Sequence, residues 1–206
     1  MPSNNIPDIV VGRLPRYLQA LEHMHHDGVH TTSSQELGSM IGISAAQIRK
    51  DLSQFGEFGR QGKGYAVPYL VSQLQNILKV SRTWEMALVG AGNLGHAIAH
   101  YQGFQTHGFR VALIFDSDPA QIGQTIGGMT VEDSAHIVDV IHAQGIKVGM
   151  ITVPVESAQT VADDLVKAGV QAILNYAPIT LAVPENVQVQ YIDPIVYLQR
   201  MTYYLE

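Results

Sequence analysis

The 206-residue sequence predicts an α/β protein with an N-terminal winged helix-turn-helix domain (residues 1–80), a Rossmann-type parallel-sheet domain (84–192) and a closing helix (193–206). Three observations predict it. Two capped amphipathic helices lie on either side of Gly42. Apolar runs alternate with amphipathic stretches from Met86 onward. The glycine pattern Gly90-Ala91-Gly92-Asn93-Leu94-Gly95 follows the first apolar run and opens a helical stretch.

Residues 13–26 carry Leu14, Leu18 and Leu21 at helical spacing, and Pro15 is tolerated because it falls in the first turn. Ser33-x-x-Glu36 and Ser44-x-x-Gln47 read as two capping boxes, the first ahead of Leu37 and Met40, the second ahead of Ile48, Leu52 and Phe55. With Gly42 between them the order is helix, tight turn, helix. In the second of these helices Ile48, Leu52 and Phe55 share one stripe, which leaves Gln47, Arg49, Lys50, Ser53 and Gln54 exposed. Residues 56–65 then hold four glycines with Arg60 and Lys63, as a basic hairpin would. Ser33, Ser44, Gln47, Arg49, Lys50, Ser53, Arg60 and Lys63 are therefore the candidate DNA contacts, since Arg and Lys donate to phosphates and to guanine O6 and N7. The competing reading is a solvated helix face beside an ordinary glycine loop. Residues 68–80 predict one more helix, with Leu70, Leu74, Ile77 and Leu78 apolar, and 81–83 form a linker.

The run Met86-Ala87-Leu88-Val89 predicts a buried strand. Gly90 then permits a tight turn, Gly92 admits a pyrophosphate to the backbone, and Gly95 lets helix and strand pack closely. Asp116 lies 21 positions past Gly95 and ends the apolar run Val111-Ala112-Leu113-Ile114-Phe115. Its carboxylate suits the ribose hydroxyls of an adenosine and repels a 2′-phosphate. Ser117 and Asp118 follow with no Arg to accept one, so NAD(H) is favoured over NADP(H). The alternative role for Asp116 is to cap a helix starting at Asp118-Pro119. Helix at 135–141, strand at 148–153, helix at 156–168 and strand at 172–174 continue the alternation. Ligand contacts belong to the loops at strand ends, Thr152-Val153-Pro154 and Asn175-Tyr176-Ala177-Pro178, together with Ala91, Asn93 and Leu94 of the glycine motif. In the last helix Ile195, Val196, Tyr197, Leu198, Met201, Tyr203, Tyr204 and Leu205 surround the axis. That helix needs cover on most sides, from another subunit or from its own domain.

Composition narrows the function classes. Hydrophobic residues make up 46% of the chain, enough for a sizeable core, and there is no cysteine, so thiol nucleophiles and cysteine metal sites are excluded. The N-terminus lacks a basic segment followed by an apolar one, which predicts a cytoplasmic protein. Up to Arg82 the chain carries eight Lys/Arg and six Asp/Glu, net +2, and the remainder carries −8. No Lys lies four residues after any Tyr, and no domain is left to hold a substrate, which counts against a small NAD-dependent oxidoreductase. His96, His100, His136 and His142 read as surface or packing residues, and His23, His25 and His26 lack partners for a metal. A CoA-binding module would meet repulsion between its ribose 3′-phosphate and Asp116.

The chain resembles the Rex family of bacterial redox-sensing transcriptional repressors over nearly its whole length. The resemblance lies in Arg13-Leu14 with Tyr17-Leu18, Thr32-Ser33-Ser34 with Glu36-Leu37, Gln47-Ile48-Arg49-Lys50-Asp51-Leu52 with Phe55-Gly56, and Gly62-Lys63-Gly64-Tyr65. It continues through Leu88 to Gly95, Phe115-Asp116, Thr152-Val153-Pro154 and Leu174 to Pro178. It implies a homodimer with winged-helix heads and a C-terminal helix swapped between subunits, bound to palindromic operator DNA when NADH is low and released when NADH closes the dimer. It also implies that Tyr101, which touches the cofactor, and Asp193 exchange partners in a switch. The Arg that joins them in other members matches Gln19 here, and Arg16, one turn earlier, is the candidate substitute.

Overall fold

The computed structural model describes residues 6–60 and 64–205. The chain divides into two compact units, Met1–Arg82 and Thr83–Glu206. The first contains α1 (Asp8–Val11), α2 (Leu14–His26), β1 (Thr31–Thr32), α3 (Ser34–Ile41), α4 (Ala45–Ser53), β2 (Gly59–Arg60), β3 (Gly64–Ala66) and α5 (Val67–Ile77). Its apolar stripes meet in one core that includes Leu14, Tyr17, Leu21, Leu37, Ile48, Leu70 and Leu74. The three strands pair antiparallel in the order β1-β3-β2. The helix-turn-helix is α3 and α4, and Gly42 closes α3 at φ +69, a left-handed conformation that glycine adopts without penalty. The Ser33–Glu36 capping box forms in full. The second forms by half: Ser44 Oγ accepts from the Gln47 N–H at 3.2 Å, but the Gln47 side chain turns to Asp51. The helix expected over 68–80 ends at Ile77, because Lys79 adopts φ +59.

A buried charge joins α2 to α4. Asp51 is fully buried and accepts from Arg13 Nε at 2.6 Å, Arg13 Nη2 at 2.8 Å, Tyr17 Oη at 2.5 Å and Gln47 Nε2 at 2.7 Å. Burial opposes the charged form, yet the hydrogen bonds from Arg13, Tyr17 and Gln47 and the Arg13 charge hold the carboxyl below its ordinary value. Burial and the donation to Asp51 push the Tyr17 phenol up to about 12.

The second unit begins with β4 (Trp84–Val89), α6 (Asn93–Ala99), α7 (Gly103–Thr106), β5 (Phe109–Asp116), β6 (Thr125–Ile126) and β7 (Met129–Asp133). After a 3₁₀ turn it continues with α8 (Ile137–Gln144), β8 (Val148–Ile151), α9 (Val155–Lys167), β9 (Ala172–Asn175), β10 (Gln188–Tyr191) and α10 (Pro194–Thr202). Among the described residues the sheet runs β10-β9-β8-β4-β5-β7-β6, parallel except for the β6–β7 hairpin. Alternate residues of β4 feed two cores, Ala87 and Val89 on one face and Met86 and Leu88 on the other, so the sheet is covered on both sides. No helix starts at Asp118. The chain makes turns there, with Asp118 Oδ1 accepting from the Ala120 N–H at 2.9 Å, and runs into the hairpin. Strands β6, β7 and β10 were not anticipated, because Thr125, Thr130, Glu132, Gln188 and Gln190 break any apolar run.

Because Asp51 titrates lower when folded, its stabilisation is complete above the ordinary carboxylate range and is lost as pH falls through the folded value. Hydrogen-exchange protection of the α2 and α4 amides should hold from pH 7 to about pH 5 and decline below about pH 4. In Asp51→Asn that decline should be blunted, and the unit less stable by about 3 kcal/mol at neutral pH.

Candidate dinucleotide cleft and nucleic-acid interface

Strand order reverses at β4: the chain leaves it first toward β5 and β7, then returns to β8 on its other side. The loops after β4 and β8 therefore diverge, and a crevice opens at the strand ends. A cleft of about 400 Å³ lies there, lined by Val89, Gly90 and Gly92 at the end of β4, Asp116 and Ser117 at the end of β5, and Thr152, Val153 and Pro154 after β8. Gly90 sits at φ +104, and a Cβ there would meet the Thr152 backbone. Thr152 Oγ1 donates toward the Gly90 carbonyl at 2.8 Å and the Val89 carbonyl at 3.0 Å, tying the turn to the neighbouring strand. A Cβ on Gly95 would run into the Gly90 carbonyl, so α6 packs on the turn only as glycine. Gly92 differs: a Cβ there meets nothing within 4 Å, and the residue faces the open cleft.

Asp116 spans this loop. Its Oδ2 accepts from the Ala91 N–H at 2.6 Å and its Oδ1 from the Asp118 N–H at 2.8 Å, placing the carboxylate against the glycine turn at the cleft wall. The other charged lining residues are also acids, Glu156 and Asp164 of α9. With Thr160 they recur every four residues, so one face of α9 forms a wall; that spacing was readable in the sequence, but the residues were not singled out. Ser157 and Val161 of α9, with Ser134 and Ile137, complete the lining.

Several sequence candidates lie elsewhere. Asn175 is fully buried and closed on its own loop, its amide donating to the carbonyls of Ala177 at 3.0 Å and Ile179 at 3.1 Å while its oxygen accepts from the Ala177 N–H. Tyr176 and Ala177 pack into the two cores, and burial pushes the Tyr176 phenol above its ordinary value. Asn175, Tyr176 and Ala177 thus shape the sheet end; neither they nor Pro178 line the cleft, and nor do Ala91 of the glycine turn or Asn93, Leu94 and Gly95 of α6. Tyr101 is exposed, edge-to-face with Phe104 at 5.0 Å. Asp193 caps α10, accepting from the Ile195 N–H at 2.9 Å, and Arg16 donates to the Ile41 carbonyl at 2.6 Å. Each of the three switch candidates has a local partner.

On the first unit, Arg49, Lys50 and Ser53 are exposed on α4 and Gln47 is half-buried. Arg49 Nη1 donates to Ser34 Oγ at 2.9 Å, and Ser53 donates to the Lys50 carbonyl. Ser33 and Ser44 use their hydroxyl oxygens as helix caps. Arg60 ends β2, and Lys63 lies outside the described residues. The α10 helix exposes Ile195, Val196, Tyr197, Leu198 and Met201, each more than half accessible, so it is not tucked beneath its own domain.

Family models match both units: a putative DNA-binding protein N-terminus over residues 5–53 and a CoA binding domain over 81–179. The redox-sensing transcriptional repressor Rex of Chloroflexus aurantiacus is 55% identical over 97% of this chain and 94% of its own length. A crystal structure of RSP in complex with β-NAD+ and operator DNA matches with a TM-score of 0.92 at 40% identity, covering 97% of this chain and 92% of that one. RSP in complex with β-NADH matches with a TM-score of 0.89 at 38% identity, over 97% and 94% of the two chains.

The two glycines should part in thermal unfolding. Gly95→Ala should lose about 1–3 kcal/mol because the Gly90 turn must move, whereas Gly92→Ala should melt with the native protein.

Proposed function

The chain belongs to the Rex family of redox-sensing transcriptional repressors, and on that premise we propose that it binds palindromic operator DNA as a homodimer and lets go when NADH occupies the cleft. The observation that carries this is Asp116, held across the glycine turn where the ribose of an adenosine would meet its carboxylate. The residues present fit a dinucleotide: an open Gly92 for the pyrophosphate, an acid for the ribose, and acids alone among the charged lining, which disfavours any further phosphate. The same features favour NAD(H) over NADP(H) and over CoA. RSP has been solved both with β-NAD+ and operator DNA and with β-NADH.

In this reading α4 enters the major groove, with Arg49 and Lys50 on phosphates and guanine edges and β2–β3 as the wing. The apolar faces of α10 are covered by the second copy, as in a helix exchanged between protomers. NAD+ carries a positive charge on its ring that NADH lacks, and enclosing that charge without a partner is costly, so a closed dimer prefers NADH. Closure changes the spacing of the two heads and breaks their match to half-sites about one helical turn apart. The ligand acts only through its differential affinity for the two states. We assign no reaction to the cleft. The protein works in the cytoplasm, as a regulator rather than an enzyme.

A palindromic operator duplex should shift in a gel with the protein, and NADH should abolish the shift while NADPH leaves it; release by NADPH would refute the role given to Asp116. Asp116→Ala should weaken NADH binding by at least about tenfold in a fluorescence titration, the scale of a charge-assisted hydrogen bond. Gly92→Ala should weaken it too without loss of stability. Leu198→Asp with Met201→Asp should give a monomer by light scattering, and an unchanged dimer would refute the cover proposed for α10.

A further inference from the structure

We propose that Gln47 reads one adenine in each operator half-site and that Asp51 is the positioning residue that turns its amide for the task. The inference deepens the DNA-binding reading above and rests on it. Gln47 is the third residue of α4, in the first turn, whose residues meet base edges when a recognition helix docks. Its amide donates to Asp51 Oδ1 at 2.7 Å. The partner dictates the orientation. An ionised carboxylate only accepts, so the Gln47 NH₂ and not its carbonyl faces Asp51. Asp51 cannot turn away, because Arg13 grips both of its oxygens and Tyr17 donates to Oδ2 from α2. A flipped amide would set an oxygen against a buried negative charge.

With one amide N–H committed to Asp51, Oε1 and the other N–H remain together on the opposite edge. A donor beside an acceptor is the complement of adenine, which offers N7 as acceptor and N6–H₂ as donor in the major groove. Guanine offers two acceptors there, and its O6 would repel Oε1. Cytosine could satisfy only Oε1. The neighbouring side chains divide the work differently: Arg49 is tethered to Ser34, and exposed Lys50 is a point charge with donors only. Neither offers an acceptor for the adenine N6 amino group, which Gln47 Oε1 does.

The full chain is used to select from a pool of duplexes with randomised half-sites, and each adenine of the enriched site is then replaced by 7-deazaadenine or by purine, which lack N7 and the N6 amino group respectively. At one adenine per half-site each replacement should weaken wild-type binding by about tenfold. Gln47→Ala should bind the natural and substituted duplexes alike. Gln47→Met, which keeps the length but not the amide, should behave as Gln47→Ala. Asp51→Asn, wherever it stays folded by circular dichroism, should lose the same preference while keeping its salt-dependent binding. If Gln47→Ala retains the wild-type discrimination at every adenine, or if both analogues are tolerated at every adenine, the proposal is overturned and the DNA-binding reading stands. A pool that enriches no sequence overturns both.

Discussion

A parallel sheet that grows outward from its middle strand in both directions must part its loops where the direction changes. Here that place is fixed by β4, flanked by β5 on one side and β8 on the other, and everything said about the cleft follows from it. The close seat of Gly95 on the Gly90 carbonyl and the Thr152 hydroxyl beneath the turn keep this parting rigid. Asp116 reaches it because β5 ends level with the turn, and its oxygens are already oriented by two backbone N–H groups. A hydroxylated ligand would therefore meet an acceptor that is in place before it arrives.

The two units use aspartate in opposite ways. Asp51 is sealed from water and saturated by four hydrogen bonds from side chains, so it organises structure. Asp116 is partly accessible and bonded only to backbone, so lone pairs remain for a partner. Residue type is the same in both, and environment separates the roles. The saturated one also acts at a distance: through Gln47 its charge sets which hydrogen-bonding edge α4 presents outward.

Much of this was legible in the sequence. Helical spacing placed Leu14, Leu18 and Leu21 in the first core, the first capping box marked the start of α3, and the glycine pattern with Asp116 located the cleft, because each depends on near neighbours in the chain. What was not legible depends on which partner a side chain or strand selects, and residue types do not specify that. Asn175 ends β9, but its amide closes on Ala177 and Ile179, a loop conformation that residue types do not announce. Gln47 fits a capping box by type, but its NH₂ donates instead to Asp51, one turn on and fixed by its link to α2, so its oxygen does not reach back to the Ser44 N–H. Strands β7 and β10 owe their pairing to β5 and β9 and not to any apolar run of their own.

The tail has a consequence for the life of the protein in a cell. The chain by itself holds eight large apolar side chains of residues 195–205 in water, more than a solitary soluble chain ordinarily leaves bare. With the second copy proposed above as the cover of α10, the chain is adhesive until that cover arrives, and folding and pairing are coupled by mass action. Scarcity then has two effects at once: fewer molecules, and a larger fraction of them in the unpaired, sticky form. Under that proposal gene dosage enters the response alongside the coenzyme.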